Sequence, residues 1–123
     1  PASDLYIAMD PDKDRPTAKK EMAAPDSLYH EVKKLIRIRQ SHKALQSRGK
    51  ITFVYAEKNA YPLAYIREDG DEKILVIINA AAEAKTFACD AEPKEAIYNF
   101  GAAAEAKNGK ITVPAQSAGF YRI

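Results

Sequence analysis

Short runs that alternate apolar and polar residues fill the chain from about Lys50 to Ile123. The clearest are ITFVYA, which puts Ile51, Phe53 and Tyr55 on one face, then YPLAYIR, EKILVIIN, ITVP and AGFYRI, while KTFACD and EAIYNF follow the pattern less regularly. Alternation with a period of two is typical of strands that bury one face. The second half of the chain is therefore predicted to form a series of short strands.

Turn signals separate these runs. EDGD at Glu68–Asp71 and KNGK at Lys107–Lys110 contain Asp-Gly and Asn-Gly pairs, which adopt the positive φ angles of tight hairpins. The alanine-rich stretch NAAAEAKTF is short and lies between strands, so it is predicted to be a loop. Six or so strands joined by polar turns predict a mainly β fold, an antiparallel β-sandwich or a small barrel.

Residues from about 26 to 46 follow a helical period instead. At about 100° per residue, the apolar side chains of this segment cover an arc of about 200°. The arc includes Leu28, Val32, Leu35 and Ile36. Because a helix that lies on one surface needs a narrower arc, this long amphipathic helix is predicted to pack against two bodies.

Arg39 falls in the middle of the apolar arc. A buried guanidinium must be paired or hydrogen-bonded, so Arg39 is predicted to form a structural ion pair or to donate to backbone carbonyls. Substrate binding is the alternative role. At the start of the helix, Asp26 or Ser27 follows Pro25 and supplies the N-cap.

The first 25 residues are rich in Pro, Asp and Lys and predict an irregular, partly extended loop. Within it, Asp10, Asp12, Asp14 and Glu21 have the spacing of EF-hand ligand positions 1, 3, 5 and 12. However, Arg15 occupies the position that must be Gly, two prolines stiffen the loop, and no helix enters it. A solvated acidic loop is therefore favoured over a calcium site.

The totals of the chain exclude several classes of function. A length of 123 residues suits a single domain, and a net charge of +2 from 19 basic and 17 acidic residues gives no nucleic-acid footprint. No apolar run approaches the roughly 18 residues that span a bilayer, so no membrane partner is expected. The single Cys89 excludes an intramolecular disulfide and predicts a cytoplasmic protein. The opening PASDLY has no initiator Met and no signal-peptide pattern, which predicts a piece of a longer protein.

No catalytic constellation stands out among the reactive residues. The sequence has no nucleophile elbow, no phosphate-binding glycine loop and no cluster of metal ligands, so no catalytic residue, metal or cofactor is predicted. His30 and His42 lie on the helix and are interpreted as solvated or partly packed. Cys89 has no basic neighbour in the sequence and is interpreted as a buried or half-buried hydrophobe.

Sugar hydrolysis needs a pair of carboxylates, and two pairs are available. Asp69 with Asp71 and Asp10 with Asp12 both lie in turns, where nothing apolar raises the pKa of one member as acid catalysis requires. The seven tyrosines mostly alternate with aliphatic residues in strands, which favours packing over sugar stacking. These residues alone predict a non-catalytic β-domain with a helical lead-in.

The order of elements resembles a known family. The stretch YIAMDPDKDRPTAKKEMAAPDSLYHEVKKLIRIRQSHKAL looks like the end of the catalytic barrel of the α-amylase superfamily, glycoside hydrolase family 13, and most resembles its α-glucosidase and oligo-1,6-glucosidase type. The family pattern is kept at Asp10-Pro11, at the helix opening Pro25–Leu28, and from Leu35-Ile36 through Arg39 to Ala44-Leu45.

Other stretches extend the resemblance over nearly the whole chain. YPLAYIREDGDEKILVIIN is similar to the stretch that opens the family's C-terminal β-sandwich, and VPAQSAGFYRI looks like the last strand of that domain. Two positions depart from the pattern, since Tyr6 stands where Trp is usual and Ala8 where Pro is usual. That loop borders the sugar site in relatives, so the departures leave the substrate open.

The resemblance implies how the chain is organised. Residues 1–48 would be the end of a catalytic barrel, with its last helix at about 26–46, and residues 49–123 would be the antiparallel C-terminal β-sandwich. The family's catalytic Asp nucleophile, Glu acid and substrate-orienting Asp would all lie upstream of Pro1. The chain itself would be no enzyme and would bind no substrate. The parent glycosidase would act on α-glucosidic bonds of an α-glucan or oligosaccharide, and its missing barrel would be the partner of this chain.

In this interpretation the helix residues Arg39, Leu28, Val32, Leu35 and Ile36 are structural and lie between barrel and sandwich. Without the barrel, the flank that carries Val32 and Ile36, together with Tyr29, should be exposed, covered by the N-terminal loop, or buried by self-association. Two other interpretations stay open. One is a stand-alone carbohydrate-binding or protein-interaction β-module, and the other is a calcium-loop protein.

Overall fold

The computed structural model describes Ile7 and residues 9–123, which form two compact units, one ending at Arg37 and the other running from Ile38 to Ile123. Tyr6 and Ala8, where the sequence departs from the family pattern, lie outside the described residues. The predicted domain boundary between residues 48 and 49 stays a prediction. The elements are α1 (Ala18–Ala23), α2 (Leu28–Ser41), a 3-10 turn (Lys43–Leu45), β1 (Lys50–Tyr55), β2 (Leu63–Asp69), β3 (Glu72–Asn79), β4 (Lys85–Ala88), β5 (Ala96–Phe100), β6 (Glu105–Lys107), β7 (Lys110–Val113) and β8 (Ser117–Arg122).

Helix α1 departs from the irregular loop predicted for the first 25 residues. Its six residues, AKKEMA, are mostly strong helix formers. The hydroxyl of Thr17 caps the helix by accepting a hydrogen bond from the N–H of Lys20 at 3.3 Å. The prolines and aspartates just before Thr17 obscured this short helix in the sequence pattern.

Helix α2 begins directly after Ser27, one of the two predicted N-cap residues. The Ser27 carbonyl accepts hydrogen bonds from the N–H groups of His30 and Glu31, while its hydroxyl donates to the carbonyl of Glu21. The helix ends at Ser41 rather than near residue 46. It ends there because His42 is extended and the chain continues as a 3-10 turn.

The strands form two antiparallel sheets, which confirms the predicted β-sandwich. The larger sheet has the order β1-β2-β3-β8-β5, and the smaller has the order β4-β7-β6. Strands β1, β2 and β3 follow one another as hairpins, whereas β8 is inserted between β3 and β5. The loop predicted after β3 occupies residues 80–84, and the last three residues of NAAAEAKTF lie in β4.

Both predicted hairpin turns are confirmed. Gly70 has φ of 58° between β2 and β3, and Asn108 and Gly109 have φ of 53° and 70° between β6 and β7. The two successive positive φ angles at Asn108 and Gly109 are the geometry of a type I′ turn, whose twist matches that of the strands it joins. These turns fix the register of the two hairpins.

The core lies between the two sheets. Alternate residues of each sheet point inward, and on the opposite face of the larger sheet a smaller apolar cluster forms around Ile74 and Val76. The buried side chains of the main cluster are Ala64, Leu75, Ile77, Phe87, Cys89, Ile111, Val113 and Tyr121. Cys89 is 7% exposed and is a free thiol, as the sequence predicts for a small buried hydrophobe.

Strand β1 corrects one detail of the alternation. Ile51 and Phe53 lie on one exposed face, 45% and 60% exposed, but Tyr55 does not share it. The register shifts between Phe53 and Tyr55, and Tyr55 pairs with the buried Ala64. The bulge reverses the direction of the next side chain, so the Tyr55 ring packs in the main core 5.5 Å from the ring of Phe87.

Candidate functional site

The reactive residues found in the sequence are dispersed over the structure. The ring of His30 lies 3.1 Å from the carbonyl oxygen of Met22, and the Cys89 sulfur lies 3.7 Å from the carbonyl of Ala91. Asp69 and Asp71 are exposed at the β2–β3 turn. Residues 7 and 9–123 contain no group of three or more His, Cys, Asp or Glu side chains that could hold a metal ion.

The acidic N-terminal loop is an exposed series of Asx turns. The Asp10 carboxylate accepts a hydrogen bond from the N–H of Asp12, and the Asp12 carboxylate accepts one from the N–H of Asp14, both at 2.9 Å. The Arg15 guanidinium donates to the Asp12 carbonyl at 3.0 Å. This is the arrangement that the solvated-loop interpretation predicts, because the carboxylates bond to the loop's own backbone.

His42 lies just after the end of α2, not on the helix, and belongs to a polar cluster around Ala44. Its Nδ1 lies 2.6 Å from Oε1 of Glu72, at the start of β3, and the two side chains are only 13% and 22% exposed. The second Glu72 oxygen accepts a hydrogen bond from the N–H of Ala44 at 2.9 Å. One carboxylate therefore binds both an imidazole and a backbone amide of the same turn.

Arg67 from β2 completes this cluster from the other side. Its Nε donates to the carbonyl of Ala44 at 3.0 Å, and its Nη2 donates to the carbonyl of Gln46 at 2.5 Å. Because Ala44 is fully buried, its N–H and C=O both need such partners. We call His42, Ala44, Arg67 and Glu72 the Ala44 cluster.

Gly49 makes the close approach in this cluster possible. A Cβ at Gly49 would overlap the carbonyl oxygen of Ala44 and lie 2.9 Å from Nη2 of Arg67. Any side chain there must therefore displace either the buried carbonyl or the guanidinium bound to it.

The environment of Glu72 keeps its carboxyl ionised. Burial acts to raise the pKa of Glu72, but the N–H of Ala44, the hydrogen bond and charge of His42, and the charge of Arg122 outweigh it. The pKa of Glu72 therefore lies below its usual value of 4.5. At neutral pH the cluster contains a carboxylate that accepts from the N–H of Ala44 and a guanidinium that donates to the C=O of the same residue.

The other candidate surface is the apolar face of α2. Leu28, Val32 and Ile36 are 74%, 45% and 51% exposed. With Pro16 and Tyr29 they line an open groove of about 500 Å³. An apolar surface of this kind is typical of an interaction site.

Two other residues of the predicted helix set behave differently. Leu35 is half-buried, and Arg39 is exposed. The burial that the helical wheel predicts for Arg39 does not occur in this chain, because the surrounding apolar face is itself exposed. Its ion pair or carbonyl contact stays a prediction.

Two buried polar residues complete the hydrogen bonding of the sandwich. Asn79, 1% exposed, donates from Nδ2 to the carbonyls of Glu83, Val113 and Pro114 at 2.8 to 3.2 Å, and its Oδ1 accepts from the N–H of Ala81 at 3.1 Å. Sequence reasoning missed this role, although a polar residue directly after the buried run ILVII is a signal of it.

Tyr121 plays the corresponding role inside the core. Its hydroxyl donates to Oδ1 of Asn99 at 2.6 Å and accepts a hydrogen bond from the N–H of Ala104 at 2.9 Å. These contacts join β8, β5 and the segment before β6.

No helix in the described part of the chain is long and apolar enough to cross a membrane.

Comparison with known proteins gives one consistent set of relatives. No family model matches the chain. It is 44% identical to a cyclomaltodextrinase from Bacillus sp over 55 residues, and this matched stretch makes up 45% of this chain and 10% of that protein. It is 26% identical to a glucan 1,6-alpha-glucosidase from Streptococcus pneumoniae over 109 residues, and this matched stretch makes up 89% of this chain and 20% of that protein.

The solved structures agree. The trehalulose synthase MutB from Pseudomonas mesoacidophila MX-45 superposes on 95% of this chain with a TM-score of 0.77 and 26% identity, over 21% of the synthase. The matched stretches thus cover about a tenth to a fifth of the length of these curated relatives.

Proposed function

We propose that this chain is the non-catalytic C-terminal portion of a longer enzyme that acts on α-glucosidic bonds. Its sequence and fold match the C-terminal region of α-amylase-superfamily glycosidases. Its β-sandwich stabilises a catalytic barrel encoded upstream. The proposal ends at the class of bond, because the relatives include a cyclomaltodextrinase, a glucan 1,6-alpha-glucosidase and a trehalulose synthase.

The observation that carries the proposal is that each match covers most of this chain but only a small part of the other protein. The match covers 89% of this chain but 20% of the glucan 1,6-alpha-glucosidase, and 95% of this chain but 21% of the synthase. A whole small protein that merely shared a sandwich topology would not extend the similarity into the helix and loop before the strands. The similarity therefore favours a segment of a larger enzyme over an independent module.

The exposed face of α2 supports the same proposal. Leu28, Val32 and Ile36 follow one another at the i, i+4, i+8 spacing of a helix that buries this side. Their exposure here calls for a further apolar surface, which the proposal supplies as the barrel. We also propose a cytoplasmic parent, since Cys89 is a free, buried thiol and fits a reducing compartment.

The direct test is to sequence the coding region upstream of Pro1. We expect an open reading frame that encodes a barrel of about 250 residues or more, with the Asp, Glu and Asp residues of the family's catalytic set. A start codon immediately before Pro1 would instead identify a complete small protein and reject the proposal.

The alternative function, a carbohydrate-binding module, is separated by calorimetry. Titration of the chain with maltooligosaccharides is expected to give no saturable heat, since the proposal assigns sugar binding to the barrel. Saturable binding with defined stoichiometry would favour the module. A matching calcium titration addresses the N-terminal aspartates, for which no saturable signal is expected.

A further inference from the structure

The connection between α2 and β1, residues 42–49, lies on the larger sheet through few apolar contacts. Ala44 is buried against Ile74 and Val76, and Leu45 is half-buried beside them. The remaining attachment is polar and passes through the Ala44 cluster. This connection therefore depends on electrostatics far more than the sheets do.

We propose that the Ala44 cluster is an electrostatic latch, which holds residues 42–49 on the sandwich and opens as a unit when the Glu72 carboxylate is neutralised, while both sheets stay folded.

The connection buries much less apolar surface than the two sheets do. Eight buried side chains hold the two sheets together, whereas Ala44 is the one buried side chain that the 3-10 turn contributes. Segments with few buried apolar contacts open at a lower free energy than the core, in cooperative local units. The connection is thus a segment of this unit that can separate before the core opens.

The polar contacts converge on the backbone of a single residue, Ala44. Glu72 binds the N–H of Ala44, and Arg67 binds its C=O. His42 precedes the turn and Gln46 follows it, and each is tied to one of the same two side chains. Loss of either charged residue leaves a buried backbone group without its partner, so the contacts are expected to fail together.

Charged groups surround Glu72 from three elements. His42 faces it from the turn, Arg67 and Asp69 lie on the neighbouring strand β2, with Asp69 directly opposite in register, and Arg122 faces it from β8. The charges of His42 and Arg122 favour the ionised carboxyl, and Arg122 also pairs with Glu95, with Nε 3.1 Å from Oε2. The lowered pKa of Glu72 means that the latch is closed at neutral pH and loses its charge as the pH falls through that pKa.

The latch has a consequence for the parent enzyme, and that consequence rests on the proposed function. Acid would loosen the connection between the last helix and the sandwich. The segment held by the latch is the one that leads from the last helix into the sandwich. Acidification would free this connection before it unfolds either sheet.

Native-state hydrogen exchange on the full chain, followed by NMR at low urea concentrations, tests the latch. The amides of Leu45 and Gln46 donate within the turn, to the carbonyls of His42 and Lys43, and report its opening without bonding to Glu72. Leu75 and Ile77 in β3 report the core. We expect Leu45 and Gln46 to exchange through an opening that is nearly independent of urea, and Leu75 and Ile77 through one that depends steeply on it.

Three variants test which residues close the latch. Glu72→Gln removes the charge but keeps an oxygen for the Ala44 amide, and Gly49→Ala disturbs the same site sterically without a charge change. Each should speed the exchange of Leu45 and Gln46 about tenfold at pH 7. Glu68→Gln is the matched control, because Glu68 pairs with Lys73 on the same sheet outside the cluster, and its effect should stay within about twofold.

The pH dependence gives the decisive readout. After correction for intrinsic exchange chemistry, the difference between the natural chain and Glu72→Gln should close as the pH falls below 4.5. A difference that stays constant with pH would overturn the proposal. So would equal urea dependence at Leu45 and Leu75, or a Glu72→Gln effect no larger than that of Glu68→Gln. These measurements use this chain alone, so they fail or succeed independently of the upstream sequence that tests the proposed function.

Discussion

His42 and Glu72, thirty positions apart in the chain, meet with Nδ1 2.6 Å from Oε1, and this contact ties the end of the helical segment to the first residue of β3. The carboxylate is mostly enclosed and binds a backbone amide as well. A charge held in this way contributes to stability only while it is ionised.

Acid should therefore weaken the fold through Glu72. Because its pKa is lowered in the folded state, its contribution is present above about pH 4.5 and is lost as the pH falls through the lowered value. In urea unfolding followed by circular dichroism, Glu72→Gln should lose about 1 kcal/mol at pH 7. The two proteins should become equally stable at low pH, and a gap that persists at low pH would contradict this assignment.

Arg67 should be needed for its fork of donors rather than for its charge alone. Arg67→Met removes both hydrogen bonds to the carbonyls of Ala44 and Gln46 and should cost about 2 kcal/mol in urea unfolding. Arg67→Lys should recover only part of this loss, since an ammonium cannot reproduce the planar fork. The exposed Arg48, changed to Met, is the control and should change stability by less than about 0.5 kcal/mol. Equal losses at both positions would contradict the assignment.

Asn79 should tolerate neither truncation nor a charge. Asn79→Ala removes the amide donor from the carbonyl of Val113 and one of the two donors from the carbonyl of Pro114, which keeps the Ser117 hydroxyl. A loss of about 2–3 kcal/mol is expected. Asn79→Asp keeps the shape but faces a carboxylate with carbonyl oxygens, so its loss at pH 7 should be larger than that of Asn79→Ala. The reverse order in thermal or urea unfolding would show that the amide group does not act as the donor.

The hydroxyl of Tyr121 should contribute through its two hydrogen bonds. Tyr121→Phe leaves Oδ1 of Asn99 and the N–H of Ala104 unpaired in a partly buried site, with an expected cost of about 1–2 kcal/mol. Tyr61→Phe removes the same atom from a side chain that is 47% exposed and should cost less than about 0.5 kcal/mol. Differential scanning calorimetry of both variants checks the difference.

The exposed face of α2 should make the chain associate or bind apolar dyes. Ile36→Lys places a charge in the groove and should lower dye binding and shift sedimentation toward the monomer, with a stability change within about 0.5 kcal/mol. Ser47→Lys adds the same charge at an exposed site outside the groove and should leave both unchanged. Identical behaviour of the two variants would show that this face does not cause association.

Local sequence signals predicted most of the strands and both tight turns. Asn108-Gly109 and Gly70 need no distant partner to adopt positive φ, and the runs ITFVYA and EKILVIIN carry their own alternation. Helix α1 could be recognised only through the Thr17 cap, since its six residues are too few to show a period.

The polar cluster could not be predicted in the same way. Its members come from the end of the helical segment, from β2 and from β3, and they meet only after the two strands have paired in register. The Tyr55 bulge is a similar case, because one extra residue in a strand reverses every later side chain without changing the sequence pattern. Long-range register, rather than residue type, decides both features.

The position of β8 sets an order of events during synthesis. It lies between β3 and β5, although it follows both in the chain. While Ser117–Arg122 is still inside the ribosome, β3 has a free edge and β5 has no hydrogen-bonding neighbour in its sheet. The hairpins β1-β2-β3 can form as they emerge from the ribosome, but the larger sheet is complete only after β8 has emerged. A nascent chain paused before Ser117 therefore exposes a sheet edge to chaperones and to other chains.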